Sequence, residues 1–147
     1  MSAYAWAKLN KRQLGRYAEY FVKMEFTLAG VDIFTPEIDD KGIDFVAKSS
    51  RGKFWEVQVK SILKSTNIYL DKQKFDVRSD SLLLALVRFI DDQPPKLLLI
   101  PSQVWLAPNT LFVGYDRKDY SEWGVQLGKK NEPLLLRYAF EEFIGRL

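Results

Sequence analysis

The sequence predicts an α/β fold with a mixed central sheet flanked by helices, and three features indicate it. Residues 42–47 and 54–60 alternate β-branched or aromatic residues with polar ones around the turn-forming residues 49–52, which is typical of a β-hairpin. Residues 82–90 and 96–100 are continuous apolar runs of strand length, as expected for central strands covered on both faces. An amphipathic helix precedes the hairpin.

The helix is predicted over residues 10–29 and ends at Gly30, a residue type favoured just beyond helix C-termini. Glu19 lies beside its apolar stripe, where it can reach the edge of the sheet or form a surface ion pair with Lys23 one turn later. Gly15, one turn before Glu19, favours the first alternative. A glycine inside a helix costs up to ~1 kcal/mol relative to alanine and indicates close approach of another backbone or a ligand.

The remaining elements follow from the same patterns. In chain order they are a first strand at 31–35, a short helix capped by Ser102, two added strands at 111–115 and 123–127, and a closing amphipathic helix at 134–147. The two apolar runs are joined by a short loop and are therefore expected to be antiparallel. Asp39 and Asp40 are predicted turn residues, with a ligand role as the alternative. No linker or repeat interrupts the chain, so residues 1–147 are predicted to form a single domain.

Composition limits the chemistry that the chain can perform. The sequence has no histidine and no cysteine, which excludes disulfides, thiolate or imidazole metal sites and serine–histidine hydrolysis. Catalysis would have to use carboxylates, lysine, amides or tyrosine with an oxygen-ligated metal such as Mg²⁺. The net charge of +3 shows only that the chain is not acidic. The sequence has no apolar run of about 18 residues and no signal pattern, so we expect a cytoplasmic protein with no membrane partner.

The second strand of the hairpin carries the candidate chemistry. Side chains alternate across a strand, so Glu56, Gln58 and Lys60 share one face and the apolar residues between them share the other. Asp44 lies on the partner strand and can lean toward them. A carboxylate, a second oxygen ligand and a lysine on one surface are what metal-assisted phosphodiester cleavage requires. The alternative is a solvated edge hairpin with a surface ion pair of little energetic value.

Asp44, the Gln-Val-Lys tripeptide at residues 58–60 and the Gly-Arg-Tyr-Ala-Glu segment at residues 15–19 resemble the PD-(D/E)XK nuclease superfamily. That superfamily includes restriction endonucleases and archaeal-type Holliday junction resolvases. The resemblance covers about residues 12–61, and more loosely the strands up to Pro101. It implies a restriction endonuclease-like fold, a divalent metal held by acidic residues, and a lysine that orients or activates the attacking water.

Carried onto this chain, the resemblance implies that Glu19, Asp44 and Gln58 are catalytic residues and metal ligands, and that Lys60 is the catalytic lysine. The Val59 carbonyl oxygen is expected to be a further ligand, since backbone oxygens suit Mg²⁺. The implied cofactor is Mg²⁺ or Mn²⁺.

The chain departs from the family pattern at two positions. Gln58 replaces the usual acid, which makes the motif a Q-x-K variant, and Ile43 stands where a literal Pro-Asp would have proline. Glu56 shares the face of Gln58, but strand rise places its Cα ~13 Å from that of Lys60, compared with ~7 Å for Gln58. Gln58 is therefore the expected ligand.

Further basic residues follow the hairpin, namely Lys64, Lys72, Lys74 and Arg78. Together with Lys60 they are predicted to bind nucleic acid as a stripe that follows its phosphates. The alternative is a solvated face without a ligand.

The sequence thus predicts a divalent-metal-dependent nuclease that acts on DNA, with RNA and a homodimeric state left open. One alternative is a non-catalytic nuclease-fold protein that binds DNA or serves as an accessory subunit, which the neutral Gln58 favours. Another is a protein that keeps only the fold and binds a protein partner.

Overall fold

The computed structural model describes residues 3–38 and 41–147 of the chain. The turn or ligand roles predicted for Asp39 and Asp40 therefore lie outside the described residues. Within the described part, no helix has both the length and the apolar character needed to cross a membrane.

Helix α1 spans Lys11–Leu28 and confirms the helix predicted at residues 10–29. Asn10 and Gln13 form a capping box, in which each side chain accepts a hydrogen bond from the backbone N–H of the other residue. Just beyond the C-terminus, Gly30 has a φ of +82°, a left-handed conformation that glycine adopts without strain.

Eight β-strands are formed by the described residues. They are β1 Asp32–Phe34, β2 Phe45–Lys48, β3 Phe54–Ile62, β4 Asn67–Asp71, β5 Leu82–Arg88, β6 Lys96–Pro101, β7 Phe112–Asp116 and β8 Ser121–Gln126. Five of them form the central sheet in the order β1-β2-β3-β5-β6. β3 and β5 are parallel and the other pairs are antiparallel, so the sheet is mixed and the predicted fold class is confirmed.

The predicted hairpin consists of β2 and β3. Its turn is closed by a hydrogen bond of 2.9 Å from the Gly52 N–H to the Ser49 carbonyl, and Gly52 has a φ of +83°. The pairing of β2 with β3 ends at Phe45 and Val57, whereas β3 continues to Ile62 against β5. The two strands therefore separate halfway along β3.

Strands β5 and β6 are buried on both faces, as the apolar runs predicted. One face packs against α1 in a first core, and the other packs against a second layer in a second core. β5 contributes alternate residues to the two cores, with Leu83, Ala85 and Val87 in the first and Leu82, Leu84 and Leu86 in the second.

The second layer is a separate antiparallel sheet with the strand order β4-β8-β7. The added strands predicted at 111–115 and 123–127 are present as β7 and β8, but they cover a face of the central sheet rather than extending it. Trp105 joins the layers, since its indole Nε1 donates to the Gly124 carbonyl at 2.9 Å. Ser102 does not act as the predicted helix cap, because its hydroxyl donates instead to the Ser79 carbonyl at 2.8 Å.

The closing segment is helical but is not the continuous helix predicted at 134–147. It is divided into short turns, including α2 at Glu132–Leu135 and α3 at Phe140–Phe143. The break is at Ala139, whose extended backbone pairs with Leu98 on the outer edge of β6. Hydrogen bonding to this edge replaces helical hydrogen bonding, and the segment can therefore contribute to both cores.

Gly114→Ala is expected to destabilise the fold. An added Cβ would lie 2.8 Å from Cζ3 of Trp123, closer than packed carbon atoms approach. A shift of the Trp123 ring would disturb its packing against the second core and its contact with the Lys72 ammonium, 4.0 Å from the ring centroid. We expect the free energy of unfolding, measured by urea denaturation, to fall by about 1–3 kcal/mol.

Gly15→Ala is the matched control for that substitution. Its added Cβ would meet no atom within 4 Å outside its own helix, so the close approach expected at Gly15 is not made by the protein itself. Alanine should stabilise α1 by up to ~1 kcal/mol through helix propensity. A Gly114→Ala protein as stable as the Gly15→Ala protein would contradict the tight packing around Trp123.

Candidate active site

Asp44 lies at the point where β2 separates from β3. Its backbone N–H donates to the Val57 carbonyl at 2.9 Å, and its Oδ2 accepts a hydrogen bond of 2.6 Å from the Val59 N–H. The carboxylate takes the place of the backbone carbonyl that a longer β2 would have offered. Because the carboxylate accepts the hydrogen bond from the Val59 N–H, β2 can diverge from β3 without leaving that N–H unpaired. The bond brings the Asp44 carboxylate alongside residues 58–60.

The Val59 carbonyl oxygen points to the same side of β3 as Asp44. In a strand, the N–H and C=O of one residue point to the same side, and alternate residues point to opposite sides. Val57 and Val59 both bond to Asp44, so their backbone groups face the β2 side. Ile62, of opposite parity, accepts instead from the Phe89 N–H on the β5 side.

Gln58 is a buried polar residue with 6% of its surface exposed. Its Oε1 has no hydrogen-bond partner among the described residues, a condition shared only by the Trp55 indole Nε1. A buried carbonyl oxygen without a partner costs about 1–3 kcal/mol. Gly42 lies close to it, since a Cβ built on that glycine would be 3.8 Å from the Gln58 Nε2.

A divalent metal ion fits the donors at this position. The Gln58 amide oxygen, the Asp44 carboxylate and the Val59 carbonyl are hard oxygen ligands of the kind that Mg²⁺ and Mn²⁺ take. Within the described ranges, no three side chains from aspartate, glutamate, histidine and cysteine gather into a metal-binding group. Amide and backbone oxygens would therefore have to supply part of the coordination.

Lys60 is half-buried and, by strand alternation, lies on the same face of β3 as Gln58. It lines a groove of about 490 Å³ between β3 and the start of α1, together with Gly15 and Lys11. The open space beside Gly15 belongs to this groove. A backbone or ligand approaching Gly15 from solvent would therefore also meet Lys60.

Glu19 follows Gly15 by four residues, so the two lie on the same side of α1 about 6 Å apart along the helix axis. The Glu19 side chain is 31% exposed and forms an ion pair of 3.4 Å with Arg16. The alternative considered from the sequence was an ion pair between Glu19 and Lys23. Glu19 thus lies at the margin of the buried helix face, one turn from the groove that contains Lys60. Because α1 packs on the first core, Glu19 is on the face of the central sheet opposite to the Gln58 side chain.

Two lysines near the site were not selected from the sequence. Lys11 lines the groove beside Lys60, and Lys41 lines a second groove with Glu56 and Lys74. Lys11 could have been selected from its spacing in the sequence, because it lies one turn before Gly15 on the same helix. Glu56 is exposed in the second groove and separate from the buried Gln58.

The predicted basic stripe is divided by the fold. Lys72 forms a hydrogen bond of 3.0 Å with Asp116, and this bond lowers the pKa of the Asp116 carboxyl from its usual value. Arg78 is paired with Asp76 at 3.2 Å, and the pKa of Asp76 is lowered chiefly by a hydrogen bond from the Arg78 backbone N–H. Their positive charges are therefore partly neutralised within the protein.

Lys64 and Lys74 have a different setting. Both are exposed, Lys64 in the groove that contains Lys60 and Lys74 in the groove beside Gly42. The cations best placed to meet a phosphate thus lie on the two sides of the candidate site.

The chain has the restriction endonuclease-like nuclease fold. One similar structure is Hjc, a Holliday junction resolvase from the archaeal hyperthermophile Archaeoglobus fulgidus, with a TM-score of 0.57 and 16% identity over 89% of this chain and 95% of that chain. Another is the bacterial homing endonuclease I-Ssp6803I, with a TM-score of 0.55 and 18% identity over 93% of each chain. No protein-family model and no curated protein matches the sequence. At these identities the similarity establishes the fold alone.

Gln58→Glu is expected to strengthen metal binding, because it adds an anionic oxygen with almost no change in shape. Ligand charge is one of the factors that set affinity for hard dications, and a gain near 1.4 kcal/mol corresponds to about tenfold tighter binding. Calorimetric titration of Mg²⁺ and of Mn²⁺ at one salt concentration measures the change. Without metal, the variant should have a lower melting temperature, because the new carboxylate would be buried without a cation.

Glu56→Gln is the control for that titration, since it changes the charge of an exposed residue on the same face of β3. We expect its metal affinity to stay within about twofold of the wild type. Equal or weaker binding by the Gln58→Glu protein would show that residue 58 does not face a metal.

If the protein binds duplex DNA, the salt dependence of its affinity should distinguish the exposed Lys64 and Lys74 from the paired Lys72 and Arg78. Each phosphate contact contributes about −0.9 to the slope of log K against log salt. Replacing Lys64 and Lys74 together by glutamine should reduce the magnitude of the slope by nearly two units, as measured by fluorescence anisotropy. Arg78→Gln should change it less, because Arg78 is already paired with Asp76. A larger effect of Arg78→Gln would contradict this division.

Proposed function

We propose that the chain is a divalent-metal-dependent nuclease that hydrolyses phosphodiester bonds in DNA. The observation that carries the proposal is the hydrogen bond from the Val59 N–H to the Asp44 carboxylate. It holds an acid against the centre of the tripeptide that contains Gln58 and Lys60, at the point where β2 leaves β3. The fold adds support, since the two similar structures are named as a Holliday junction resolvase and a homing endonuclease.

In this proposal the metal would be held by Asp44, the Gln58 Oε1 and the Val59 carbonyl, and Glu19 would reach it past the open edge of β3 as a fourth protein ligand. When bound, the ion supplies a Lewis acid and lowers the pKa of a coordinated water. The residues have separate roles. Asp44 contributes the fixed negative charge, because its second contact with β3 restricts its rotation. Gln58 contributes a neutral oxygen that is already desolvated.

Lys60 acts on the substrate. Its ammonium, on the same face as Gln58, offsets negative charge on the attacking water or on the phosphate as the phosphorus becomes five-coordinate. Half-burial strengthens this interaction, because water screens it less than it would at an exposed site. The open groove beside Gly15 provides space for the phosphate backbone.

A second candidate function is a nuclease-fold protein that binds DNA without cleaving it. The observation that favours it is the buried, neutral Gln58 in place of an acid, which leaves two carboxylates in the donor set. Metal affinity falls when ligand charge is removed. The two functions differ in one measurable respect, because only the first predicts metal-dependent strand cleavage.

Lys60→Ala is expected to abolish cleavage while sparing the fold. Loss of one preorganised electrostatic contact typically reduces turnover by roughly 10²–10³-fold. The assay uses supercoiled, linear, single-stranded and branched DNA and a structured RNA, in Mg²⁺ and then in Mn²⁺. Melting temperatures of the two proteins should agree within a few degrees, because truncation of a half-buried lysine on the polar face opens no apolar cavity.

Lys118→Ala is the matched control, since Lys118 is an exposed lysine in the turn between β7 and β8. It removes the same charge and should leave cleavage unchanged. If the wild type cleaves and the Lys60→Ala protein cleaves equally well, the assigned role of Lys60 is wrong. If no substrate is cleaved by the wild type in either metal although DNA is bound, the second candidate function replaces the first.

A further inference from the structure

Two phenylalanines are exposed side by side on the outer part of the central sheet. Phe34 on β1 and Phe54 on β3 have 51% and 54% of their surfaces exposed, and their ring centroids are 6.2 Å apart. Lys48 on β2 lies between them in the sheet, with its ammonium 5.5 Å from the Phe54 ring centroid. Two exposed rings in contact form an apolar surface patch of the kind that can mark a binding site.

This aromatic pair, Phe34 and Phe54, lies on the same face of the central sheet as the Gln58 and Lys60 side chains, opposite to the face that packs against α1. Phe54 and Gln58 are four residues apart on β3, and Lys60 is two residues further, so all three share one face. Strand rise places Phe54 about 13 Å from Gln58 and about 20 Å from Lys60. Phe34 is also on this face. It pairs with Val46 on β2, and Phe54 pairs with Lys48 on β2. Val46 and Lys48 are two residues apart and therefore point to the same side of the sheet.

The second sheet covers only part of that face. Its core takes in buried residues of β5 and β6 but, among the described residues, no buried residue of β1 or β2. The face therefore continues from the covered region at Gln58 to an open region at the aromatic pair. Between Gln58 and Phe54, Glu56 on the same face lines the groove that also contains Lys41 and Lys74, so this part of the face is open to solvent.

We infer that the aromatic pair is a stacking site for unpaired nucleotides of the DNA whose phosphate lies at the candidate active site. The inference rests on the proposed function and specifies its substrate class as DNA with unpaired nucleotides close to the scissile bond. At the ~3.4 Å per nucleotide of a base-stacked strand, the 13–20 Å separation corresponds to about four to six nucleotides, and to fewer where the unpaired strand is extended. Bases in an intact duplex already stack on each other and are not available to the rings.

The charges around the rings are consistent with stacking as the main interaction. Lys48 can meet a phosphate, and Arg51 in the neighbouring turn is exposed. Asp32 lies opposite Lys48, and Glu56 follows Phe54 on the same face, so the net charge of the surface is small. Base–aromatic stacking does not depend on a high positive charge and is tolerant of sequence. The site should therefore contribute affinity with little salt dependence.

The test compares a blunt duplex with the same duplex carrying a six-nucleotide single-stranded tail, of either polarity, by fluorescence anisotropy without divalent metal. We expect the wild type to bind at least one tailed duplex more tightly than the blunt one. Phe34→Leu and Phe54→Leu keep apolar volume but remove the ring, and each should weaken tailed-duplex binding by roughly 5- to 150-fold. Their salt slopes and their affinity for the blunt duplex should remain those of the wild type.

Phe54→Tyr retains a ring and should restore the preference for the tail. Tyr20→Ala, which removes an equally exposed ring from the outer side of α1, should leave the preference intact. The inference is overturned if the leucine variants keep the wild-type preference, or if the wild type shows none. It is also overturned if sedimentation velocity shows a wild-type dimer that the leucine variants convert to monomer, because the rings would then bind a second copy of the chain.

The cleavage assay separates this inference from the proposed function. If the wild type and the leucine variants all cleave blunt and tailed duplexes equally well, the stacking site is excluded and the nuclease proposal stands. A wild type that neither binds the duplexes nor cleaves any of the assayed DNAs in Mg²⁺ or Mn²⁺ removes both.

Discussion

The early end of the pairing between β2 and β3 is the constraint on which the candidate site depends. β3 needs a partner on each side, and β5 supplies one from Glu56 to Ile62. On the other side β2 stops at Phe45, and the Asp44 carboxylate accepts the next β3 hydrogen bond in place of a backbone carbonyl. Because the carboxylate replaces a backbone carbonyl as the acceptor, this β3 N–H keeps its hydrogen bond although β2 has ended. The chain can therefore turn away toward Gly42, and an acid lies beside Gln58 and Lys60.

The energetics of Gln58 connect this geometry with function. A buried amide whose carbonyl oxygen lacks a partner is unfavourable by an amount comparable to a lost hydrogen bond. An apolar residue would suit the surrounding second core better, since the register partner of Gln58 is Leu84. A glutamine in this place is understandable if a cation supplies the missing interaction. A glutamate there would need that cation even to fold well, because a buried unpaired carboxylate costs more than an amide.

Much of the architecture could be predicted from local patterns. Helix α1, the hairpin, and β5 and β6 follow from periodicity, capping and turn residues, because these signals act within a few residues of the chain. The candidate residues on β3 follow from strand alternation. The closing segment did not follow, because its break at Ala139 comes from pairing with β6, which is distant in sequence.

The sequence by itself determined the residue types and spacing of the candidate site: an acid before β2, and an amide and a lysine two residues apart on β3. Only the tertiary structure decided which cations remain available to a ligand. Lys72 and Arg78 look like Lys64 and Lys74 in the sequence, yet the first two are paired with Asp116 and Asp76. Ion pairing depends on the distance between side chains in space. For Lys72 and Asp116, that distance is set by the packing of β7 and β8 beside β4, which no local pattern encodes.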